Sequence, residues 1–293
     1  MKRYLLIFIL ALCTICAFGQ DELPSGYINK NYKGRTYDIH IPDGLRKKAP
    51  LVVVLHGYGS SAIDIMHRGF TEAADKYGFA VCYPQGSIDT KHKAGWNVGY
   101  PSQRGTEIDD VSHICDLARH VSKKFRLSKR NIFCAGMSNG GDMIYEIAYT
   151  NPGTFAAYGS IAGLAFEQGW KRRGKYETPV PFLEIHGTAD KTSLWEGDPD
   201  GKSKWGSYAS VQLAVATWAT AARCTYEQTE ELPLRPEGHP VTLHRFLGGI
   251  PAWERGPAIE VWLYEIHGGG HSWAQSSIDT ADEIWRFFSK YLR

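Results

Sequence analysis

Cysteine is scarce in this sequence, with six among 293 residues, too few for a fold held by a disulfide framework. Net charge is almost absent as well. Lys and Arg total 33 against 31 Asp and Glu, so nothing electrostatic points to nucleic acid or an anionic membrane as a partner. The chain also lacks an internal repeat, a low-complexity tract, a P-loop and a G-x-G-x-x-G, which leaves no sequence sign of a solenoid or a nucleotide-cradling loop. With 43% of its residues hydrophobic, it is neither disordered nor collagen-like. No shift in composition marks a domain boundary, and the length suits one α/β domain.

What is present begins with Lys2 and Arg3, an apolar run over 4–12, and the small residues Ala17 and Gly19. This predicts a secretory signal peptide over 1–19, cleaved before Gln20. A membrane anchor needs roughly 20 continuous apolar residues, and this run is shorter. Leu12 and Ile15 stand before Cys13 and Cys16, where a lipoprotein has a small residue. The expected mature chain is then a single catalytic domain over 20–293, secreted or periplasmic and with no stable membrane partner. Loss of Lys2 and Arg3 leaves its basic and acidic residues equal in number. Cys82, Cys115, Cys134 and Cys224 remain, and an oxidising compartment permits up to two bridges in any of three pairings. Cys82 and Cys134 lie in apolar runs, where a buried free thiol is the expected state.

Turn chemistry over 31–34 between the segments 27–30 and 35–41 predicts a hairpin. The run Leu51-Val52-Val53-Val54-Leu55 reads as a strand buried on both faces, the signature of a parallel sheet. Helices are then predicted over 71–77, 108–125, 139–150, 207–222 and 280–291, and strands over 79–83, 131–135, 155–161, 181–186 and 260–266. Interleaving of this kind argues for an α/β fold with a mostly parallel central sheet and helices on both faces. The remaining stretches, 85–106, 163–179, 191–206 and 230–256, read as loops, where sites tend to sit.

The chemistry concentrates in Gly136-Met137-Ser138-Asn139-Gly140, a G-x-S-x-G between a predicted strand and a predicted helix. So sharp a reversal strains its central residue, and flanking glycines let the backbones approach. Ser138 would project from the turn as a nucleophile, at a helix N-terminus that favours developing negative charge. A serine needs a base, and the base needs an orienting group. His186-Gly187-Thr188-Ala189-Asp190 places Asp190 just after a strand, and Gly268-Gly269-Gly270-His271 places His271 on a glycine approach after the last one. Asp190 could instead serve only as a turn or cap residue. Its rivals Asp142 and Glu184 lie inside a helix and mid-strand. His267 and His271 have the spacing of a metal pair, but the glycines between them disfavour the helix such a pair needs, and no third ligand is near. No metal and no organic cofactor is expected.

An oxyanion requires two donors. The N–H of Asn139, next to the nucleophile, is one. The N–H of Tyr58, in Leu55-His56-Gly57-Tyr58-Gly59 after the first buried strand, is the other. His56 is expected to hold that loop by hydrogen bonding rather than to react.

With Gly95-Trp96-Asn97, Asp109-Asp110-Val111 and Gly270-His271-Ser272-Trp273 added to these motifs, the chain from about residue 35 onward resembles the secreted α/β-hydrolase esterases related to feruloyl esterases, acetylxylan esterases and polyhydroxybutyrate depolymerases. The resemblance implies a nucleophile–acid–base set of Ser138, Asp190 and His271, in agreement with the chemical reading. It also implies that Trp96 and Asn97 fall in a loop near the substrate, with a packing role equally open to them, and Trp273 is a third substrate-binding candidate. Asp109 and Asp110 are expected to cap a helix or anchor a loop. Ala274 stands where relatives often carry proline, which predicts a less rigid loop around His271.

The expected reaction is hydrolysis of a carboxylic ester through an acyl-enzyme, on a small-molecule or polysaccharide-linked substrate. Six of the nine tryptophans, Trp96, Trp170, Trp195, Trp205, Trp253 and Trp273, fall in predicted loops, where they either pack under the surface as loop anchors or stack on sugar or phenolic rings; the second role would suit feruloyl or acetyl esters of plant polysaccharide. Polyhydroxyalkanoate depolymerisation and peptide hydrolysis would use the same three residues. A non-catalytic carbohydrate-binding protein would keep the aromatics with no need of the triad.

Overall fold

Two consecutive left-handed residues, Lys33 and Gly34 (φ 48° and 85°), fold β1 (Gly26–Tyr32) back on β2 (Arg35–Ile41). Turns of that hand match the twist of the strands they join. The turn is thus two residues long rather than the four read from sequence, and Asn31 and Tyr32 belong to the strand. The computed structural model describes residues 26–166 and 178–293. The predicted leader, its cleavage point and Trp170 lie outside them.

Along the chain follow β3 (Leu51–Leu55), α1 (Ala62–Met66), α2 (Phe70–Tyr77), β4 (Ala80–Pro84), and the short ribbon of β5 (Ser87–Ile88) and β6 (Ala94–Gly95). Then come α3 (Asp110–Lys124), β7 (Ile132–Met137), α4 (Asn139–Thr150), β8 (Tyr158–Ile161) and β9 (Phe182–Gly187). The rest comprises α5 (Val211–Ala221), β10 (Tyr226–Glu231), β11 (Val241–Leu247), β12 (Val261–Ile266) and α6 (Thr280–Phe288). Ten strands form one sheet in the order β1-β2-β4-β3-β7-β8-β9-β12-β11-β10. From β4 to β12 all pairings are parallel, and antiparallel pairs flank them on both sides.

Every residue of β3 is buried. Because side chains alternate across a strand, Leu51, Val53 and Leu55 pack under α3, α4 and α5, while Val52 and Val54 pack under α1, α2 and α6. Full burial of one such side chain contributes about 1.5–3 kcal/mol, which is why a continuous apolar run is needed where helices cover both faces. On the second face Phe133 stacks on Phe288 of α6 at 4.9 Å, and Trp285 stacks on Phe79 at 4.2 Å.

Several elements differ from expectation. The sequence reading placed no strand between 186 and 260 and assigned 85–106, which holds the β5–β6 ribbon, and 230–256, which holds β11, to loop. β10, Tyr-Glu-Gln-Thr-Glu-Glu, is exposed almost throughout and pairs only with β11, so no buried face imposes apolar alternation on it. Its acids are of the kind that keep a sheet edge from adding another strand. The five-residue α1 is too short for periodicity to show, and is set instead by a capping box in which Ser61 and Asp64 satisfy each other's N–H groups. The four cysteines of the described residues are all free, so the two permitted bridges are not formed. Cys82, Cys115 and Cys134 are buried small hydrophobes on β4, α3 and β7.

Candidate active site

The chain leaves the carboxyl ends of β3, β7, β9 and β12 at one rim of the sheet, the rim where open α/β sheets bind ligands. Ser138 sits between β7 and α4 with φ 56° and ψ −122°, a strained conformation for a residue with a Cβ, of order 1–3 kcal/mol. The flanking glycines are dictated by contact. A Cβ on Gly136 would lie 2.5 Å from the Gly140 carbonyl oxygen, and one on Gly140 would lie 2.4 Å from that of Leu55. The turn is clamped from below by the Ser138 N–H donating to Ile161 O at 2.8 Å.

The structure brings Ser138, His271 and Asp190 together. His271 Nε2 is 2.8 Å from Ser138 Oγ, and its Nδ1 is 2.7 Å from Asp190 Oδ2. Asp190 is buried and takes part in its turn as well, its Oδ1 accepting from the N–H groups of Thr192 and Ser193 at 2.7 and 2.9 Å. Burial alone would raise its pKa, but these bonds and the His271 contact hold the carboxyl below the usual range. The glycine approach to His271 is fastened to the Asp190 loop: Ala189 N–H donates to Gly269 O at 2.9 Å and Gly268 N–H to Thr188 Oγ1 at 2.8 Å.

The rival residues are occupied elsewhere. Asp142 accepts from the Tyr100 hydroxyl and the Leu164 N–H, and Glu184 from the Tyr145 hydroxyl. His267 Nε2 pairs with Thr242 Oγ1 at 2.7 Å. Among the described residues no group of three or more His, Cys, Asp or Glu could hold a metal ion.

Gly57 and Tyr58 lie against the nucleophile, and a Cβ on Gly57 would stand 3.4 Å from Ser138 Cβ. Among the described residues no protein group accepts from the N–H of Tyr58 or of Asn139, which is the first residue of α4. The loop carrying Tyr58 is pinned by His56. Burial holds the His56 ring below the ordinary histidine value and hence neutral. Its Nδ1 contacts Gly57 O at 2.8 Å and its Nε2 accepts the Gly86 N–H at 2.9 Å. The Tyr58 hydroxyl donates to Asp89, and burial with that carboxylate pushes the phenol up to about 12.

Of the two roles open to Trp96 and Asn97, the structure shows packing rather than a place against substrate. Trp96 is fully buried. Its indole N–H donates to His56 O at 2.8 Å, and its backbone is held on both sides by the Asn139 amide, at 2.7 and 3.0 Å. It buttresses the loop of Tyr58 from beneath and is closed to substrate. Asn97 donates from its amide to Ile108 O, accepts from Gly99 N–H, and gives its own N–H to Asp110. It therefore anchors a loop. Asp109 caps α3 through Ser112 N–H, and Asp110 receives Arg35.

Trp273 forms one wall of the cleft above Ser138, edge-on to Phe70 at 6.2 Å. Ala274, expected to loosen this loop, has φ 56°, a backbone closed to proline. Its carbonyl accepts two N–H groups, from Ser277 and Ile278, so the segment is fastened without the ring. The cleft measures about 380 Å³, and beside Ser138 and His271 its lining includes the apolar Ile65, Met137 and Trp273, Tyr58, and the polar Ser60, Asp64 and Arg68. Ile65 and the three polar residues were missed from sequence because they lie on or beside α1, which periodicity did not reveal. Of the other loop tryptophans, Trp195 is buried, and Trp205 and Trp253 are half-buried.

Residues 35–175 match the sequence model of the family described as Esterase PHB depolymerase. Over 260 residues the chain is 28% identical to a Nocardia uniformis subsp. tsuyamanensis protein assigned by name as an esterase, NocK, covering 82% of this chain and 70% of that one. It is 27% identical over 170 residues to feruloyl esterase D of Neurospora crassa, covering 55% of each chain. The solved acetyl xylan esterase from Aspergillus awamori superposes with a TM-score of 0.64 at 15% identity, over 91% of this chain and all of that one. The last likeness shows the α/β-hydrolase fold.

Proposed function

We propose that the chain is an exported serine esterase using Ser138, His271 and Asp190, a reading supported by the match of residues 35–175 to the Esterase PHB depolymerase model and by the α/β-hydrolase fold. The observation that carries the reading is the continuous contact from Ser138 Oγ through the His271 ring to the Asp190 carboxylate.

In this mechanism His271 Nε2 takes the Ser138 proton as Oγ attacks the ester carbonyl. Asp190 holds the ring in the tautomer that leaves Nε2 free and stabilises the imidazolium that follows. The Tyr58 and Asn139 N–H groups receive the oxyanion, each worth about 3–4 kcal/mol in the transition state. His271 returns the proton to the departing alcohol, and water admitted by the same base releases the acid from Ser138.

The substrate we propose is a feruloyl or acetyl ester of plant polysaccharide. The cleft supports it, since its lining offers both apolar residues for a small or phenolic acyl group and polar ones for a sugar alcohol. Relatives named feruloyl esterase and a structural neighbour named acetyl xylan esterase support it too. Export rests on the leader motif over 1–19, and a mature N-terminus at Gln20, read by sequencing the exported protein, checks it.

A small-ester assay beside Ser138→Ala tests the reaction. Loss of at least about a thousandfold in kcat is expected, and equal rates would reject the mechanism. A panel of feruloyl esters, acetylated xylan, short hydroxyalkanoate oligomers and peptides then identifies the substrate. Preference for the hydroxyalkanoates or the peptides would replace the polysaccharide assignment.

A further inference from the structure

Behind Asp190 lies a group of polar side chains that the hydrolytic steps leave unused. His186, on β9, is buried, with Nδ1 2.9 Å from Glu184 Oε1 and Nε2 2.8 Å from Ser193 O. The same Nε2 is 3.7 Å from Asp190 Oδ2. Trp195 closes the ring from the side at 6.1 Å. Glu184, also buried, accepts in addition from the Tyr145 hydroxyl at 3.1 Å and the Gly163 N–H at 3.3 Å. Asp142 faces the pair from α4, where burial holds its carboxyl well above the usual range.

Both nitrogens of His186 therefore point at oxygens. A neutral imidazole has one N–H and one bare lone pair, and a lone pair facing an acceptor is repelled; donating from both nitrogens satisfies both contacts and makes the ring a cation. The cation stands between two carboxylates, Glu184 on one side and Asp190 on the other. We infer that His186 is a buried imidazolium acting as a positioning residue, which offsets one of these two carboxylates and so keeps Asp190 ionised against His271. Burial pulls the His186 pKa down, yet the Glu184 bond and charge, with Ser193 O and Asp190, more than reverse this and leave it above the ordinary value. Of the motif His186-Gly187-Thr188-Ala189-Asp190, sequence reading used only the last residue; the first has a part as well.

The consequence is a charge balance that can be tilted. His186→Gln leaves two carboxylates without their cation. The pKa values of Asp190 and His271 then both rise, and the acid limb of kcat/KM moves to higher pH by about one unit. The double variant Glu184→Gln/His186→Gln removes one charge of each sign and is expected to return the limb to within a few tenths of a unit of the wild type. A limb unmoved in the single variant, or left displaced in the double, would overturn the inference, since a merely structural role predicts no such restoration.

The inference rests on the esterase reading above. Following the His271 ring by NMR in the same variants separates the two: a shifted His271 titration without ester turnover sinks the reaction and spares the positioning role. The wild-type protein supplies a measurement free of any folding defect. With ¹⁵N-labelled histidine at pH 8, two bound ring protons on His186, assigned through contacts to Trp195, are expected. One bare nitrogen would refute the cation.

Discussion

The parallel centre of the sheet and its antiparallel flanks are built under different constraints. At the centre, β3 and β7 are covered on both faces, and the turns leaving them approach so closely that Gly136 and Gly140 have no room for a Cβ. At the flanks, β10 is exposed and held by ladder bonds to a single neighbour, and β1 pairs only with β2. Residue identity at the centre follows from contact, whereas at the flanks it follows from hydrogen bonding and charge. The site lies wholly on turns leaving the centre, which gives it the rigid support a preorganised constellation needs.

Five substitutions probe that contrast. Gly140→Ala drives a Cβ into the Leu55 carbonyl and is expected to lower stability by about 3 kcal/mol, with ester hydrolysis lost. Chemical denaturation reads it, and a loss no larger than that of an exposed β10 substitution such as Gln228→Ala, about 0.5 kcal/mol or less, would erase the contrast. Trp96→Phe leaves the His56 carbonyl without its indole donor and is expected to cost about 1–3 kcal/mol. It should also depress kcat more than it raises KM, because Trp96 supports the Tyr58 loop and touches no substrate. Ala274→Gly relieves a left-handed alanine and is expected to raise stability by up to about 1 kcal/mol, while Ala274→Pro destabilises it because proline cannot adopt that φ.

A pH-dependent effect belongs to the N-terminal flank. His113 packs beside Tyr32, and burial, with Arg35 and Lys33 adding to it, lowers its pKa from 6.5 to about 4. The folded ring stays neutral across that interval while the unfolded ring takes up a proton. Stability is therefore full above pH 6.5 and is lost as pH falls toward 4. Unfolding curves of His113→Gln across this window should be flatter than those of the wild type, and an unchanged slope would discount the group.

Much of this was legible in the sequence, for physical reasons that differ by residue. Ser138 was found because few local contexts tolerate its turn, and Asp190 and His271 because each follows a strand on a short loop. The strand 51–55 announced itself by burial on both faces. Trp96 was left between two roles because an indole in a loop has the same one-letter neighbourhood whether it faces a sugar or the underside of its own loop; only the Asn139 amide on its backbone decides. β10 carried no periodic signal, since it buries no face. Ala274 was judged against a proline expected in relatives, and its φ shows that this loop closes by another route.

Acid-quenching the protein during turnover of p-nitrophenyl acetate and mapping the retained acetyl group by mass spectrometry tests the account at its centre. The acetyl group is expected on Ser138 in the wild type, and absent from both Ser138→Ala and His271→Gln. Acetate transferred through another side chain, or turnover that leaves Ser138 unmodified under conditions where deacylation is slow, would contradict it.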